Sequence, residues 1–269
     1  MRIWTLAALL LAGCQQHQEQ PPAKAAEIAF DGAQVTRAAA RIAHGERISW
    51  ALGCRGCHTP SLEGQRFYER YASNLTRDLA QYSDAEIERV LRTGVPHDDR
   101  DLWGMPSEIF QHLSAADMRA LIADLRTLQP SGSPTQPPKP WEADAEDMIT
   151  KGELKTAKDA VVQDKPKGPI DLGPTYALGR YVARVTCAEC HGPKLEGGPS
   201  GEPPNLIVAG GYTRAEFETL MVKGALPNNR KFKNPLMGEV ARNRFSRLTA
   251  HERDELYAYL KARAERTRQ

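Results

Sequence analysis

The chain of 269 residues has no long hydrophobic run. Its longest, residues 3–12, is too short to span a bilayer, which takes about 20 apolar residues. There is no surplus of one charge either. Against 34 acidic side chains stand 36 basic ones, and a formal charge of +2 leaves nothing to neutralise a phosphate backbone, so nucleic acid is excluded as a partner. Aromatics are sparse at 7%, and no segment reads as a convincing strand. The cysteines do not make an even set: there are five, so they cannot all pair as disulfides. What is present, 41% hydrophobic and 26% charged residues, excludes wholesale disorder, and the length suits two domains.

The first cysteine closes an export signal. Arg2 supplies the positive start, residues 3–12 the apolar core, and Leu11-Ala12-Gly13-Cys14 resembles the bacterial lipobox. The resemblance implies that residues 1–13 are a lipoprotein signal peptide, removed so that Cys14 carries the lipid. Acylation anchors a chain to a membrane surface without spanning it. Gln15 in place of Asp makes the outer membrane the default under the sorting rule of such lipoproteins. Residues 14–32 then read as a polar tether with little to bury.

The other four cysteines fall as Cys54-Arg55-Gly56-Cys57-His58 and Cys187-Ala188-Glu189-Cys190-His191. C-x-x-C-H is the attachment signature of c-type haem. Two thiols must reach the two vinyl groups of one porphyrin, and the next residue then brings an imidazole under the iron. The pattern implies two covalent haems, on Cys54 and Cys57 and on Cys187 and Cys190, with His58 and His191 as proximal ligands. A zinc site, a thioredoxin-like redox pair and local disulfides are the competing readings. The first lacks ligand spacing and the second a βαβ context, while disulfides leave both histidines unexplained. With one cysteine for lipid and four for haem, none remains.

Aligning the motifs exposes a repeat. Pro60-Ser61-Leu62-Glu63-Gly64 answers Pro193-Lys194-Leu195-Glu196-Gly197, Asn74-Leu75 answers Asn205-Leu206, and Tyr82 and Gly94 answer Tyr212 and Gly224, at offsets between 130 and 133. Each copy reads as helical. Ser83-x-x-Glu86 and Thr213-x-x-Glu216 look like capping boxes and Gly94 and Gly224 like helix stops; Ser114-x-x-Asp117 and Thr249-x-x-Glu252 open a last helix. Further helices are expected leading into each motif, at 35–51 and 176–184. The expected organisation is a first domain at 33–128, a proline-rich linker at 129–171 with a short helix near 143–159, and a second domain at 172–269.

An electron-carrying iron is held on both faces, and a methionine opposite the histidine raises its potential. Met105, in Trp103-Gly104-Met105-Pro106, lies 47 residues past His58; Met237, in Pro235-Leu236-Met237-Gly238, lies 46 past His191. That near-equality within a repeat singles out this pair. Met118 and Met221 fall in amphipathic helices, where packing is the expected role. Pro60 and Pro193 offer carbonyls that would orient the imidazoles, or are plain turn prolines.

The whole resembles tandem two-haem class I cytochromes c of the bacterial periplasm, and the haem domains of cytochrome subunits from membrane-bound alcohol and gluconate dehydrogenases. Gly45-Glu46-Arg47-Ile48, Asn74-Leu75-Thr76, Arg92-Thr93-Gly94 and Met105-Pro106 with Phe110 carry the likeness in the first copy. In the second, Gly179-Arg180-Tyr181, Met237 and Phe245 carry it. Those subunits usually hold three haems and often end in a membrane segment; this chain has two motifs and a lipid signal. The resemblance implies an all-α fold and a lipid-anchored electron carrier rather than an enzyme, facing the periplasm. It would pass electrons from a dehydrogenase or quinol-oxidising complex to a terminal oxidase or another cytochrome. A two-haem cytochrome c peroxidase and a haem-based sensor or assembly subunit are the alternatives. Residues 32–128 hold 12 basic and 13 acidic side chains, a net of −1, and 172–269 hold 16 and 10, a net of +6, so the two ends suit different partners.

Overall fold

The computed structural model describes residues 27–67, 70–136, 143–198, 203–232 and 234–267. Cys14, the expected signal peptide at 1–13 and most of the expected tether lie outside them. Among the described residues the fold is all-α but for one two-stranded antiparallel sheet, Gln65–Phe67 with Arg70–Ala72, which the sequence pattern did not announce. Among the described residues no helix is long and apolar enough to cross a membrane.

Each copy opens on a helix that runs into its C-x-x-C-H motif and closes on one that packs across it. In the first these are Ala38–Ala51 and Ala115–Leu125. In the second, Ala177–Val182 continues through a π-helical turn, Ala183–Cys187, and Ala188–His191, and packs on Ala250–Thr267. The close approach is made at glycine. A Cβ on Gly45 would strike the Ala120 carbonyl, and one on Gly179 the Glu255 carbonyl, so the backbones meet where a side chain would hold them apart. Between lie Asp84–Thr93 and Arg214–Lys223. Both carry the expected reciprocal capping box and end at a left-handed glycine, Gly94 or Gly224. The boxes work because Ser83 and Thr213 satisfy an otherwise orphaned N–H while Glu86 and Glu216 return the bond.

The copies interlock through the first turns of their closing helices. Asp117 is wholly buried and accepts from the backbone N–H of Phe30 (3.0 Å), the Ser114 hydroxyl (2.9 Å), the Tyr181 hydroxyl (2.7 Å) and His44 Nε2 (2.8 Å). Glu252, equally buried, accepts both terminal nitrogens of Arg47 (2.8 and 2.9 Å) and the N–H groups of Asp31 (2.8 Å) and Thr249 (2.7 Å). Arg47 and Tyr181 each sit two residues past the crossing glycine, and each reaches into the other copy. Residues 27–32 thus correct the tether boundary. Phe30 is 2% exposed and stacks edge-on with Tyr181 at 5.4 Å, because its segment supplies N–H donors to both buried carboxylates.

The linker is more than a spacer. Asn74 Nδ2 donates to the carbonyls of Ser131 and Ser133, and the Thr135 hydroxyl accepts from the Asn74 N–H and donates to Asp78. Instead of one helix near 143–159 there are two, Ala143–Thr150 and Ala157–Asp164; the second, capped by Thr156, packs on Ser107–Phe110. Near that contact a cavity of about 10 Å³, about the least a single water needs, is lined by Glu108, His112, Asp164, Lys167 and Arg184. In it Glu108 Oε2 and Arg184 Nε are buried without a partner among the described residues. Burial pushes the Glu108 carboxyl up from 4.5 to about 7, with Glu189 and Asp164 adding to it and Lys155 opposing. Burial, then Arg184 and Arg92, pushes His112 down to about 4.

Two outcomes test this packing. Gly179→Ala forces the second pair of crossing helices apart and costs about 1–3 kcal/mol in a denaturant titration. Between pH 4.5 and about 7 the folded chain keeps a proton on Glu108 that the unfolded chain releases, so this group's contribution to stability falls as pH rises through that window. Glu108→Gln therefore melts above the parent at pH 8 and level with it at pH 4.5; equal melting temperatures at both pH values would refute the assignment.

Candidate haem sites

The first copy places its predicted residues around one cavity. The leading helix ends at Leu52, Gly53 turns the chain, and the short helix Cys54–Cys57 delivers His58. His58 Nδ1 donates to the Ser73 carbonyl at 2.7 Å, which fixes the proton on Nδ1 and leaves the Nε2 lone pair for a metal. In the second copy His191 Nδ1 donates to the Pro204 carbonyl at 2.8 Å. Burial pushes both imidazoles below their ordinary value, so both are neutral, the form that ligates.

The carbonyls of Pro60 and Pro193 do not orient the imidazoles. Pro60 accepts instead from Arg55 at 2.7 Å. The actual acceptors each precede an aligned asparagine, Asn74 or Asn205, and that pairing was the available signal. Asn74 is pinned by the linker. Asn205 is pinned by Arg263 of the closing helix at 3.1 Å, and Arg263 also donates to the Lys194 and Leu195 carbonyls.

The cavity measures about 560 Å³, within the roughly 300–1,000 Å³ of cofactor sites. Cys54, Cys57 and His58 border it, and so does Met105, while Leu79, Ile87, Leu91, Phe110, Leu121 and Leu125 give it an apolar wall. Tyr82 and His97 share the rim, edge to face at 4.4 Å, and Trp103 joins them. The Met105 loop is backed by the linker: Ala157 N–H donates to the Leu102 carbonyl at 2.7 Å. Pro134, Thr135 and Gln136 close another side. A nitrogen ligand, two thiols at its side, a thioether and an apolar wall fit a covalently held haem in shape and in chemistry.

The thiols do not suit the competing redox reading. Burial pushes Cys54 up to about 12, and Cys187 upward too. A reactive C-x-x-C pair depends on a lowered value.

In the second copy His191 is buried, and Met237 packs half-buried against the core. Met237 lies in the first turn of a helix, Leu236–Asn243, where the repeat suggested a loop like that of Met105. Met118 and Met221 are buried core residues, as their helical spacing indicated. Two residues at the junction of the copies escaped sequence reasoning. Glu189, between the cysteines of the second motif, lines the first-copy cavity, and Arg244 bonds to it at 2.7 Å.

Comparison with known proteins agrees with this chemistry. Residues 176–264 match the family model of cytochrome c. The chain is 27% identical over 295 aligned positions to a Cereibacter sphaeroides protein described as "Diheme cytochrome c-type", an alignment that covers 95% of each chain.

Proposed function

We propose that this protein is a dihaem c-type cytochrome that carries electrons, with one haem in each copy. The observation that carries the reading is the first-copy cavity, bordered by the C-x-x-C-H motif and by Met105 and walled by apolar side chains. The second motif, the repeat, the family match at 176–264 and the printed description of the relative support a second haem. Bound in such a site, haem supplies reversible one-electron ferric–ferrous chemistry.

The side chains supply attachment, ligation and exclusion of water. Cys54 and Cys57, and Cys187 and Cys190, would hold the two haems through thioethers. The Ser73 and Pro204 carbonyls aim the imidazoles of His58 and His191. Met105 and Met237 would supply the second protein ligand to each iron. A thioether from each copy would take up the ligand position that peroxide needs, which favours a carrier over a peroxidase.

We assign residues 1–13 to a lipoprotein signal peptide and Cys14 to acylation, which sets the protein on the periplasmic face of a membrane, the outer membrane by default. Its partners are then redox proteins, a dehydrogenase or quinol-oxidising complex as donor and an oxidase or another cytochrome as acceptor. The contrast between the nearly neutral first copy and the basic second gives each a different docking field.

The purified protein should contain two haems per chain by the pyridine haemochrome assay, and one after Cys57→Ser. Met105→Ala keeps its haem but opens one iron to carbon monoxide and lowers one potential; an unchanged spectrum excludes Met105 as ligand. Rapid peroxide turnover by the parent protein would overturn the carrier reading. Cys14→Ser should shift the protein from the membrane to the soluble periplasmic fraction; retention in the membrane would remove the lipid assignment.

A further inference from the structure

The two attachment motifs meet at one buried cation. Arg244 caps the helix Leu236–Asn243 of the second copy and is 9% exposed. Its Nε donates to the Ala51 carbonyl at 3.2 Å, just before the first motif. Its Nη1 donates to Glu189 Oε2 at 2.7 Å, inside the second motif. Its Nη2 is buried with no partner among the described residues. The guanidinium lies near enough to both motifs to bear on the thiols of Cys54, Cys187 and Cys190.

The chain is built to admit it. Gly53, at φ +88°, carries no side chain beside the guanidinium; a Cβ there would stand 2.7 Å from Arg244 Cζ. The repeat is broken at this point in both copies. The residue before the first cysteine is Gly53 in one copy and Thr186 in the other. The residue before the aligned phenylalanines Phe110 and Phe245 is Ile109 in one copy and Arg244 in the other. Ile109 is itself buried, 3% exposed, in the cavity that touches Ala188 of the second motif. An apolar side chain therefore fills the equivalent place, and burying a guanidinium is the costlier solution. Packing alone does not account for the arginine.

We propose that Arg244 is an electrostatic residue shared by both haem sites, one buried cation at the attachment edge of each that sets the two reduction potentials together. This rests on the dihaem reading above. Reduction adds one electron to an iron, and a nearby cation stabilises the added negative charge, more strongly where water is excluded. Glu189 partly offsets that field. The two members of the pair should therefore act in opposite directions, whereas a purely structural ion pair would act in one.

Spectroelectrochemical titration of the holoprotein, with haem content and melting temperature measured alongside, separates the cases. Arg244→Gln should shift both ferric–ferrous equilibria toward ferric by about tenfold, about 59 mV for one electron. Glu189→Gln should shift both the other way, and Arg244→Lys should restore the parent values. Thr213→Ala removes the cap of Arg214–Lys223 and leaves the interlock intact, and should lower the melting temperature without moving either potential. Unchanged potentials in Arg244→Gln, a shift at one haem alone, or shifts of the same sign in Arg244→Gln and Glu189→Gln would overturn the proposal. Should Arg244→Gln fail to load haem, the sign of the Glu189→Gln shift decides alone. A parent protein with fewer than two haems would defeat the dihaem reading instead.

Discussion

Two buried carboxylates hold this molecule together. Asp117 and Glu252 occupy the third position of their closing helices, where a carboxylate meets the favourable end of the helix dipole. Burying an unpaired carboxylate would be prohibitive. Each carboxylate takes a donor from the other copy as well as from its own. Tyr181 crosses from the second copy to Asp117, Arg47 crosses from the first to Glu252, and the segment at Phe30 and Asp31 gives a backbone N–H to each. The two copies therefore complete each other's helix starts. Arg247 of the second copy, 4.9 Å over the ring of Trp50 in the first, extends the same contact.

That interlock has a chemical consequence. It brings the end of Ala38–Ala51 against the second copy, so that the two C-x-x-C-H motifs share a junction rather than facing separate surfaces. Glu189 then reaches the wall of the first-copy cavity and Arg244 fills the space between the motifs. A tandem repeat joined by a flexible linker would leave the distance between its two sites to chance. Here the linker is also tied down, to Asn74 and Thr76 on one side and behind the Met105 loop on the other.

Within this frame the copies solve one problem in different ways. Each must hold an asparagine that follows the carbonyl orienting its histidine. The first uses the linker backbone, and the second uses Arg263 from a longer closing helix. Met105 sits in a loop and Met237 in a helix. Conserving the histidine geometry while varying its supports lets two copies of one sequence pattern present different outer surfaces.

Most of the local structure was readable from the sequence. The capping boxes at Ser83 and Thr213, the stops at Gly94 and Gly224, and the attachment motifs all span four or five residues, and such short-range geometry depends on residue type and spacing. The repeat doubled each signal, and so pointed to Met105 as well as to His58. What the sequence concealed is long-range. Arg47 and Glu252 are 205 residues apart, Arg244 and Ala51 are 193 apart, and Tyr181 and Asp117 are 64 apart. Nothing in the spacing of a charged residue tells which distant carboxylate it will meet. Residues 27–32 look like tether in the sequence because they are few and polar in neighbourhood, and their burial depends on two carboxylates that need N–H donors only in the assembled copies. The sequence by itself determined the two C-x-x-C-H motifs and the helices around them, because those are local. Tertiary structure alone decided which carbonyls orient the histidines and which single arginine stands between the motifs, because burial makes every polar group find a partner wherever the fold supplies one.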